Sequence, residues 1–242
     1  MLPPHPVLTA YYGKEAERAR FLCSLFDATA GDYDRLTQVF SFGAGRRYRA
    51  RAVEEAGLAP GSRVLDVATG TGMLAVPAER LVGPSGSVTA LDPSPGMLCR
   101  ARRHRGLILV QGLAEALPFA DAVFDFLSMG YALRHVAGVD TAFSEFARVL
   151  KPGGRLLVLE ISRPEGRLAQ HLAGSWLGRL VPALSRLAPS GRDAAKLMRY
   201  FWDTIETCVS PETILAALHA NGLGNARSDT KLGIFRSYTA TR

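Results

Sequence analysis

Residues 64–75 read VLDVATGTGMLA, an apolar run that leads through two closely spaced glycines into a second apolar run. The first run has the length and aliphatic character of a strand buried on both faces, and the second suits the start of a helix. A glycine pair between strand and helix allows a tight turn, and by itself it indicates no more than that. In this setting it predicts a nucleotide-type site at the carboxyl edge of a parallel sheet.

Two residues around the glycines indicate the kind of ligand. A dinucleotide site favours a third glycine where Ala75 stands, and Asp66 would repel a pyrophosphate. A ligand that lacks phosphate and carries an ammonium and a sulfonium reverses this preference, because Asp66 then complements positive charge, directly or through water. The bare backbone of Gly70 and Gly72 would let such a ligand lie close. A dinucleotide oxidoreductase stays as an alternative, which titration with a reduced nicotinamide cofactor would decide.

The second strand-like run, residues 87–91, is followed by Asp92. A carboxylate at that position can accept hydrogen bonds from both ribose hydroxyls of an adenosine cofactor. Helix capping is the competing role, but Ser94 is better placed for it, with a proline following at the first helical position. We expect Pro93 to belong to the same site, and Met97 and Leu98 to pack on the adenine face.

The rest of the chain alternates strand-like and helix-like segments. Short apolar runs of strand length occupy residues 62–68, 87–91, 107–111, 123–129 and 155–161. The intervening segments are long enough for helices, and residues 151–154 suggest a helix stop and a turn. This alternation predicts an α/β fold, a Rossmann-like parallel sheet with helices on both faces.

The flanking regions are predominantly helical. Residues 14–57 read as helices broken at Gly31 and at 41–45, and a second helical region, with a break at Pro182, precedes a helix that starts after Pro211 and ends at residues 221–222. Two strand-like segments close the chain, at 228–231 and 235–241. We therefore predict a single domain with an N-terminal helical cap (1–57), a cofactor-binding core (58–162), a helical lid that walls the acceptor site (163–210), and a C-terminal helix with strands (211–242).

Composition narrows the class of protein. The three cysteines are isolated and the histidines lack metal-ligand spacing, so we expect neither a disulfide framework nor a metal site. There is no apolar run of spanning length and no export signal, which predicts a soluble, cytoplasmic protein. The net charge of +7 fits solvated helix faces or peripheral contact with an anionic membrane. Basic stretches without interleaved aromatic residues argue against nucleic acid as a partner.

Further motifs carry a family resemblance. Residues 111–121 (QGLAEALPFAD) and 145–160 (EFARVLKPGGRLLVLE), together with the glycine turn, closely resemble class I S-adenosylmethionine-dependent methyltransferases. More narrowly, residues 33–43, 131–136 and 160–164 look like the ubiquinone/menaquinone biosynthesis C-methyltransferase family. The resemblance covers residues 26–164 well and the remainder more loosely.

The resemblance implies S-adenosylmethionine as cofactor and a seven-stranded sheet whose last strand is antiparallel. It also implies the residues that surround each part of the cofactor: Asp66, Ala68, Gly70, Thr71 and Gly72 the methionine part, Asp92 the ribose, and Leu113 with Ala114 the adenine.

Three residues after the fourth strand are candidates for chemistry. For a hydroquinone acceptor, removal of a phenolic proton makes the neighbouring ring carbon nucleophilic, and His135 is the obvious base by its pKa. Arg134 could stabilise a phenolate, and Tyr131 could line the pocket. The competing roles are packing in a loop for His135, a surface ion pair for Arg134 and core packing for Tyr131.

Departures from the family pattern leave the acceptor open. Leu113 stands where Asp or Asn is common, Thr37 and Gly45 where relatives often show Asn and His, and His135 where Asn is usual. We predict C-methylation of a reduced prenylated quinone, with O- or N-methylation of a small secondary metabolite as the alternative. A noncatalytic cofactor-binding partner of a biosynthetic complex is a third interpretation. The basic, apolar lid suggests a lipophilic acceptor taken from a membrane surface, and the sequence leaves open whether the chain forms a homodimer.

Overall fold

The computed structural model describes residues 2–40 and 43–242, and its centre is one seven-stranded sheet. The strands are β1 (Arg63–Val67), β2 (Ser87–Asp92), β3 (Leu107–Gln111), β4 (Phe124–Gly130), β5 (Leu150–Ile161), β6 (Gly224–Lys231) and β7 (Phe235–Thr241). Their order is β3-β2-β1-β4-β5-β7-β6, and β7 runs antiparallel to both of its neighbours. The predicted α/β, mostly parallel sheet with an antiparallel last strand is confirmed.

Helices lie before, between and after the strands. They are α1 (Glu15–Thr29), α2 (Tyr33–Phe40), α3 (Gly45–Glu55), α4 (Ala75–Val82), α5 (Pro95–Ala101), α6 (Val139–Val149), α7 (Arg167–Ser175), α8 (Val181–Ser185), α9 (Gly191–Thr207) and α10 (Pro211–Ala220). The helices α1 to α3 fall within residues 1–57, and α7 to α9 within residues 163–210. The break predicted at 41–45 begins with Ser41 and Phe42, which lie outside the described residues.

Local signals start and stop the helices next to the sheet. Ser94 caps α5 by accepting a hydrogen bond of 3.1 Å from the amide of Met97, with a proline at the first helical position. The last helix, α10, is capped in the same way by Ser210 and ends before Gly222, whose φ of +78° suits glycine. Both boundaries agree with the sequence prediction.

Two predictions differ from the structure. The preceding helix stops as predicted, since α6 ends at Val149, but residues 151–154 are not a turn before the strand, because β5 begins at Leu150 and passes through them with a register irregularity. The backbone of Arg242 pairs with Gly153 and Gly154 at 2.9 Å each and draws this segment into the sheet. Pro182 does not interrupt the lid either, because a π-helical turn (Trp176–Leu180) joins α7 directly to α8.

Apolar side chains fill both faces of the sheet, and a third, aromatic cluster lies beyond one edge. In β1 only Arg63 is exposed, while the four residues that follow are buried. The aromatic cluster joins α1 and α2 to the lid, with Leu177 and Val181 packed beside Phe26 and Phe201. The N-terminal helices and the lid helices thus pack on one another.

Candidate functional site

A cavity opens where β1, β2 and β4 end, at the point where the strand order reverses between β1 and β4. The empty space inside it, including its open mouth, is about 790 Å³. The sheet side of its lining is Ala68, Gly70, Leu91, Asp92, Pro93, Ser94, Met97, Ala114, Glu115 and Gly130. The opposite wall comes from α1, α2 and the segment after β4: Ala19, Leu22, Cys23, Phe26, Tyr33, Tyr131, Ala132, His135 and Val136.

The turn after β1 has left-handed backbone at three positions, with φ of +53° at Ala68, +57° at Gly70 and +88° at Gly72. A Cβ added at Gly70 would meet nothing within 4 Å, so a side chain there would project into the cavity. A Cβ at Gly72 would instead lie 3.2 Å from the His104 ring. The first glycine therefore keeps ligand space open, and the second allows close packing of the turn.

Asp66 lies buried beneath this turn. Its carboxylate accepts hydrogen bonds of 2.6 Å from the hydroxyls of Ser128, on β4, and Thr69. Burial raises the pKa of Asp66 to about 6, although both hydroxyls and the charge of Arg49 favour the ionised form. Asp66 and Arg49 line a smaller extension of the cavity, which also includes Gly70.

Asp92 closes β2 on the adjacent side. Its two carboxylate oxygens accept from the amides of Gly70, at 2.7 Å, and Ser94, at 2.9 Å. Burial again is the main cause that raises its pKa to about 6, with a smaller contribution from the charge of Asp66. Each oxygen keeps a further acceptor site for a ribose hydroxyl.

The other predicted cofactor residues divide into two groups. Pro93, Met97 and Ala114 line the cavity, and Thr71 lines its extension while its hydroxyl donates to Asp34 at 2.6 Å. The prediction that Leu113 contacts the adenine is wrong, because its side chain is 47% exposed and does not line the cavity.

The residue after Ala114, Glu115, lines the cavity and was missed by the sequence analysis, although it belongs to the quoted motif at 111–121. Its carboxylate also accepts from the amide of Ala137, which ties the two loops at the cavity mouth together.

His135 lies in the wall opposite the sheet, which we call the aromatic wall because Phe26, Tyr33 and Tyr131 also belong to it. Its ring stacks on Tyr200 and Phe201, with centroid separations of 5.5 and 5.6 Å, and meets Phe26 edge-on. Both ring nitrogens are buried without a hydrogen-bond partner. Burial, reinforced by the charge of Arg134, holds the pKa of His135 well below its usual value. The near-neutral pKa assumed for this base is therefore wrong, and the imidazole is neutral at physiological pH.

Arg134 and Glu160 form a buried ion pair with an Nη1 to Oε2 distance of 2.5 Å. Arg134 thus forms an ion pair, as the competing interpretation proposed, but the pair is buried and not at the surface. Its guanidinium also lies 5.2 Å from the ring centroid of Phe201, and its Nε has no hydrogen-bond partner. The pair places a cation directly behind the aromatic wall.

Tyr131 is held in left-handed backbone, with φ +62°, and its amide donates to the carbonyl of Leu159 at 2.7 Å. Its ring carries the guanidinium of Arg49 at 4.7 Å from the centroid. Its hydroxyl is buried and unpartnered, and burial raises its pKa. The side chain lines both the main cavity and a neighbouring pocket shared with Arg49 and Arg134.

Arg49 was not singled out from the sequence. It is 8% exposed and makes no hydrogen bond or ion pair among the described residues, yet it lines both the smaller extension of the cavity and the neighbouring pocket. In the sequence it is one of several arginines in α3, and only the tertiary fold distinguishes it from Arg46 and Arg47, which are exposed.

Comparisons with known proteins identify the family of this chain. The model of the ubiE/COQ5 methyltransferase family matches residues 14–242. A relative from Shewanella pealeana, named ubiquinone/menaquinone biosynthesis C-methyltransferase UbiE, is 38% identical over 76% of each chain. One of the same name from Edwardsiella ictaluri is 34% identical over 90% of this chain and 88% of its own length.

Solved structures share the fold at lower identity. An S-adenosylmethionine-dependent methyltransferase from Thermotoga maritima, described as a possible histamine N-methyltransferase, superposes with a TM-score of 0.63 at 23% identity, covering 90% of this chain and 98% of its own. The [4+2]-cyclase SpnF superposes with a TM-score of 0.61 at 17% identity, covering 93% and 96%. The fold alone thus accommodates different reactions.

Proposed function

This chain belongs to the ubiE/COQ5 methyltransferase family and uses S-adenosylmethionine, and we propose that it transfers the methyl group to a ring carbon of a reduced, prenylated quinone precursor. One structural observation supports the proposal in addition to the names of the relatives. A single cavity joins the acidic, glycine-lined cofactor end of the sheet to an aromatic wall that contains His135. The first part suits the donor, and the second suits a planar aromatic acceptor.

The residues present fit S-adenosylmethionine. Asp92 offers acceptors for the ribose diol, and Asp66 places negative charge under the turn, where the ammonium and sulfonium would be stabilised. The apolar surface of Leu91, Met97 and Ala114 suits the adenine ring. Since Leu113 turns away, adenine would be held by packing and backbone rather than by that side chain.

Arg49 fits the remaining group, the methionine carboxylate. A guanidinium with little solvent exposure and no anionic partner is costly unless a ligand supplies one. It faces the same extension as Asp66 and Gly70. Bidentate hydrogen bonds between guanidinium and carboxylate would fix the amino-acid end of the cofactor.

The bound cofactor supplies an electrophilic methyl group, which an in-line attack by the ring carbon removes from sulfur to leave a thioether. The protein has to align the acceptor, exclude water and manage the phenolic proton. The aromatic wall and α1 do the first two by covering the cavity.

The neutral imidazole of His135 has one unprotonated nitrogen, which can accept a hydrogen bond from a quinol hydroxyl and so raise electron density on the adjacent ring carbon. The neighbouring Arg134 would stabilise the developing phenolate, while its own charge makes His135 a poor permanent holder of the proton. After transfer, the ring carbon loses its hydrogen as a proton to solvent and the aromatic ring is restored.

The test supplies methyl-labelled S-adenosylmethionine and a short-tailed demethylated quinol under reducing conditions. Label on a ring carbon supports the proposal, and label on oxygen or nitrogen of another acceptor supports the secondary-metabolite alternative. An Asp92→Asn variant serves as a control for cofactor dependence. Cofactor binding without transfer to any acceptor in a broad panel would contradict the proposal and favour a noncatalytic binding partner.

A further inference from the structure

We propose that the outer face of the α7–α8 segment docks on an anionic phospholipid bilayer. This face carries a leucine stripe of five side chains that are 44% to 84% exposed: Leu168, Leu172, Leu180, Leu184 and Leu187. The inference rests on the proposed function, because docking is useful to an enzyme whose acceptor is lipophilic. No helix among the described residues could span a membrane, so the contact is one of surface docking.

Packing inside the fold does not account for these leucines. Helix α7 buries none of its residues, and its inner side approaches the lid through glycines. A Cβ at Gly178 would lie 2.8 Å from the ring of Trp202, and one at Gly174 would lie 3.4 Å away. The segment therefore approaches Trp202 through two glycines and buries few large side chains, while five leucines remain on its outer face.

The clustering is also unlike the rest of the surface. The described residues include ten exposed large apolar side chains, and half of them fall within residues 168–187. The others, such as Ile108 and Leu232, are scattered singly and need no explanation. Four of the five stripe residues are four positions or twice four positions apart, which lines them up along one side of a continuous helical path.

The positive charge of this segment favours an anionic membrane over a second copy of the chain as its partner. Arg167, Arg179 and Arg186 are exposed on the same segment, and between residues 163 and 199 seven basic side chains stand against two acidic ones. In a symmetric dimer formed through this face, the same arginines would meet one another. An anionic membrane leaflet would accommodate both kinds of side chain. The leucines would enter the boundary of the acyl chains, and the arginines would lie among the headgroups.

The stripe lies close to the acceptor wall. On the inner side of the same segment, Leu177 and Val181 join the aromatic cluster of Phe26 and Phe201, whose rings contact His135. A bilayer against the stripe would therefore be separated from the cavity wall by one layer of helix. Docking would bring the cavity to the surface in which a prenylated acceptor is dissolved.

The test measures sedimentation of the full chain with vesicles of phosphatidylcholine alone and with 30% phosphatidylglycerol, at low and high salt. The stripe variant is Leu172→Gln/Leu184→Gln, and its control is Leu232→Gln, which changes an even more exposed leucine between β6 and β7. The charge variant is Arg179→Gln/Arg186→Gln, matched by Arg102→Gln/Arg105→Gln on another exposed surface. Methyl transfer to a short-tailed quinol without vesicles is recorded for every variant.

We expect the wild-type enzyme to bind the anionic vesicles in a salt-sensitive way, and the stripe variant to lose at least tenfold in partitioning while both controls keep it. Vesicle-free methyl transfer should be unchanged, so its loss would report on the proposed function and not on docking. Unaltered vesicle binding by the stripe variant, or no binding by the wild-type enzyme, would overturn the inference. The inference would also be overturned if the enzyme were a dimer without lipid and the same leucine substitutions made it monomeric. The stripe would then be the contact with a second copy of the chain.

Discussion

The amide of Gly70 donates a hydrogen bond of 2.7 Å to the carboxylate of Asp92, and this bond joins the turn after β1 to the end of β2. The two strands are direct neighbours in the sheet, with Val67 paired to Leu91. The position of Asp92 at the cavity is therefore fixed by the same glycine that leaves space for the ligand. Changes at either residue should affect cofactor binding before they affect the fold.

Cofactor affinity should depend on pH below neutrality. The pKa values of Asp66 and Asp92 are both about 6, so both side chains are ionised at pH 7.5 and become neutral as the pH falls through 6. Protonation removes their attraction for a cationic ligand, and binding of the cation in turn lowers both pKa values.

We expect calorimetric titration with S-adenosylmethionine to show constant affinity above about pH 7 and roughly a tenfold loss per protonated carboxylate below pH 6. Asp92→Asn should remove part of this dependence. Equal affinity from pH 5 to pH 8 would show that the carboxylates do not face the cofactor.

Arg49→Gln should weaken binding of S-adenosylhomocysteine by about 10- to 100-fold, because one charge-assisted carboxylate contact is lost. It should leave binding of methylthioadenosine, which lacks the amino-acid part, unchanged. Arg47→Gln, an exposed arginine on the same helix, is the matched control. Equal losses for the two ligands would mean that Arg49 acts through the local structure instead.

Gly70→Ala should abolish measurable cofactor binding, since the added methyl group would project into the cavity. It should also cost about 1–2 kcal/mol of stability because of the left-handed backbone. Gly222→Ala has the same kind of backbone, with φ +78°, and no atom near its Cβ, but it lies at the end of α10. This control should lose similar stability in urea titrations and keep full cofactor affinity.

His135→Phe tests whether the nitrogens or only the ring matter. Phenylalanine can keep the stacking on Tyr200 and Phe201, so we expect a native thermal transition and unchanged cofactor affinity. Turnover with the quinol should fall by about 100-fold or more, in line with the usual contribution of acid–base catalysis. Turnover near the wild-type rate would reduce His135 to a packing residue.

Glu160→Gln should destabilise the enzyme by about 3–5 kcal/mol, because it leaves the buried guanidinium of Arg134 without its counter-charge. The double variant Arg134→Met/Glu160→Leu should recover much of that stability while still losing turnover. Chemical denaturation of the two variants and of Arg134→Met separates the pair's effect on folding from its effect on catalysis. A mild effect of Glu160→Gln would indicate that the pair is not shielded from water.

Most of the residues that the sequence assigned to the cofactor line the cavity or its extension. The glycine turn, Asp66 and Asp92 lie within one short supersecondary unit, so the distance between them is set by local geometry that a sequence pattern can express. The prediction for Leu113 was wrong because neighbouring side chains of an extended loop face opposite sides, so an error of one residue in the sequence exchanges inside and outside. At that position Ala114 faces the cavity and Leu113 faces solvent.

The acceptor side could not be predicted to the same depth. Its wall includes Phe26 and Tyr33, and both rings pack on Phe201, which is far from them in the sequence and meets them only when the N-terminal helices pack on the lid. The low pKa of His135 arises from that packing and from Arg134, so the ordinary value for histidine was a poor guide. Arg49 was missed for the same reason, since burial and the lack of a counter-ion are properties of the folded chain.

The aromatic wall has a further consequence for engineering of this enzyme. The glycine-lined end of the cavity is built from strand ends and the turns between them, whereas its opposite wall includes Phe26 of α1 and Tyr33 of α2, whose rings pack on Phe201 of α9. Exchanging those three helices as a set between homologues should therefore transplant acceptor preference without retuning the donor site. Exchanging any one of them alone would separate rings that pack on one another, and such hybrids should fail as folded proteins before they report on specificity.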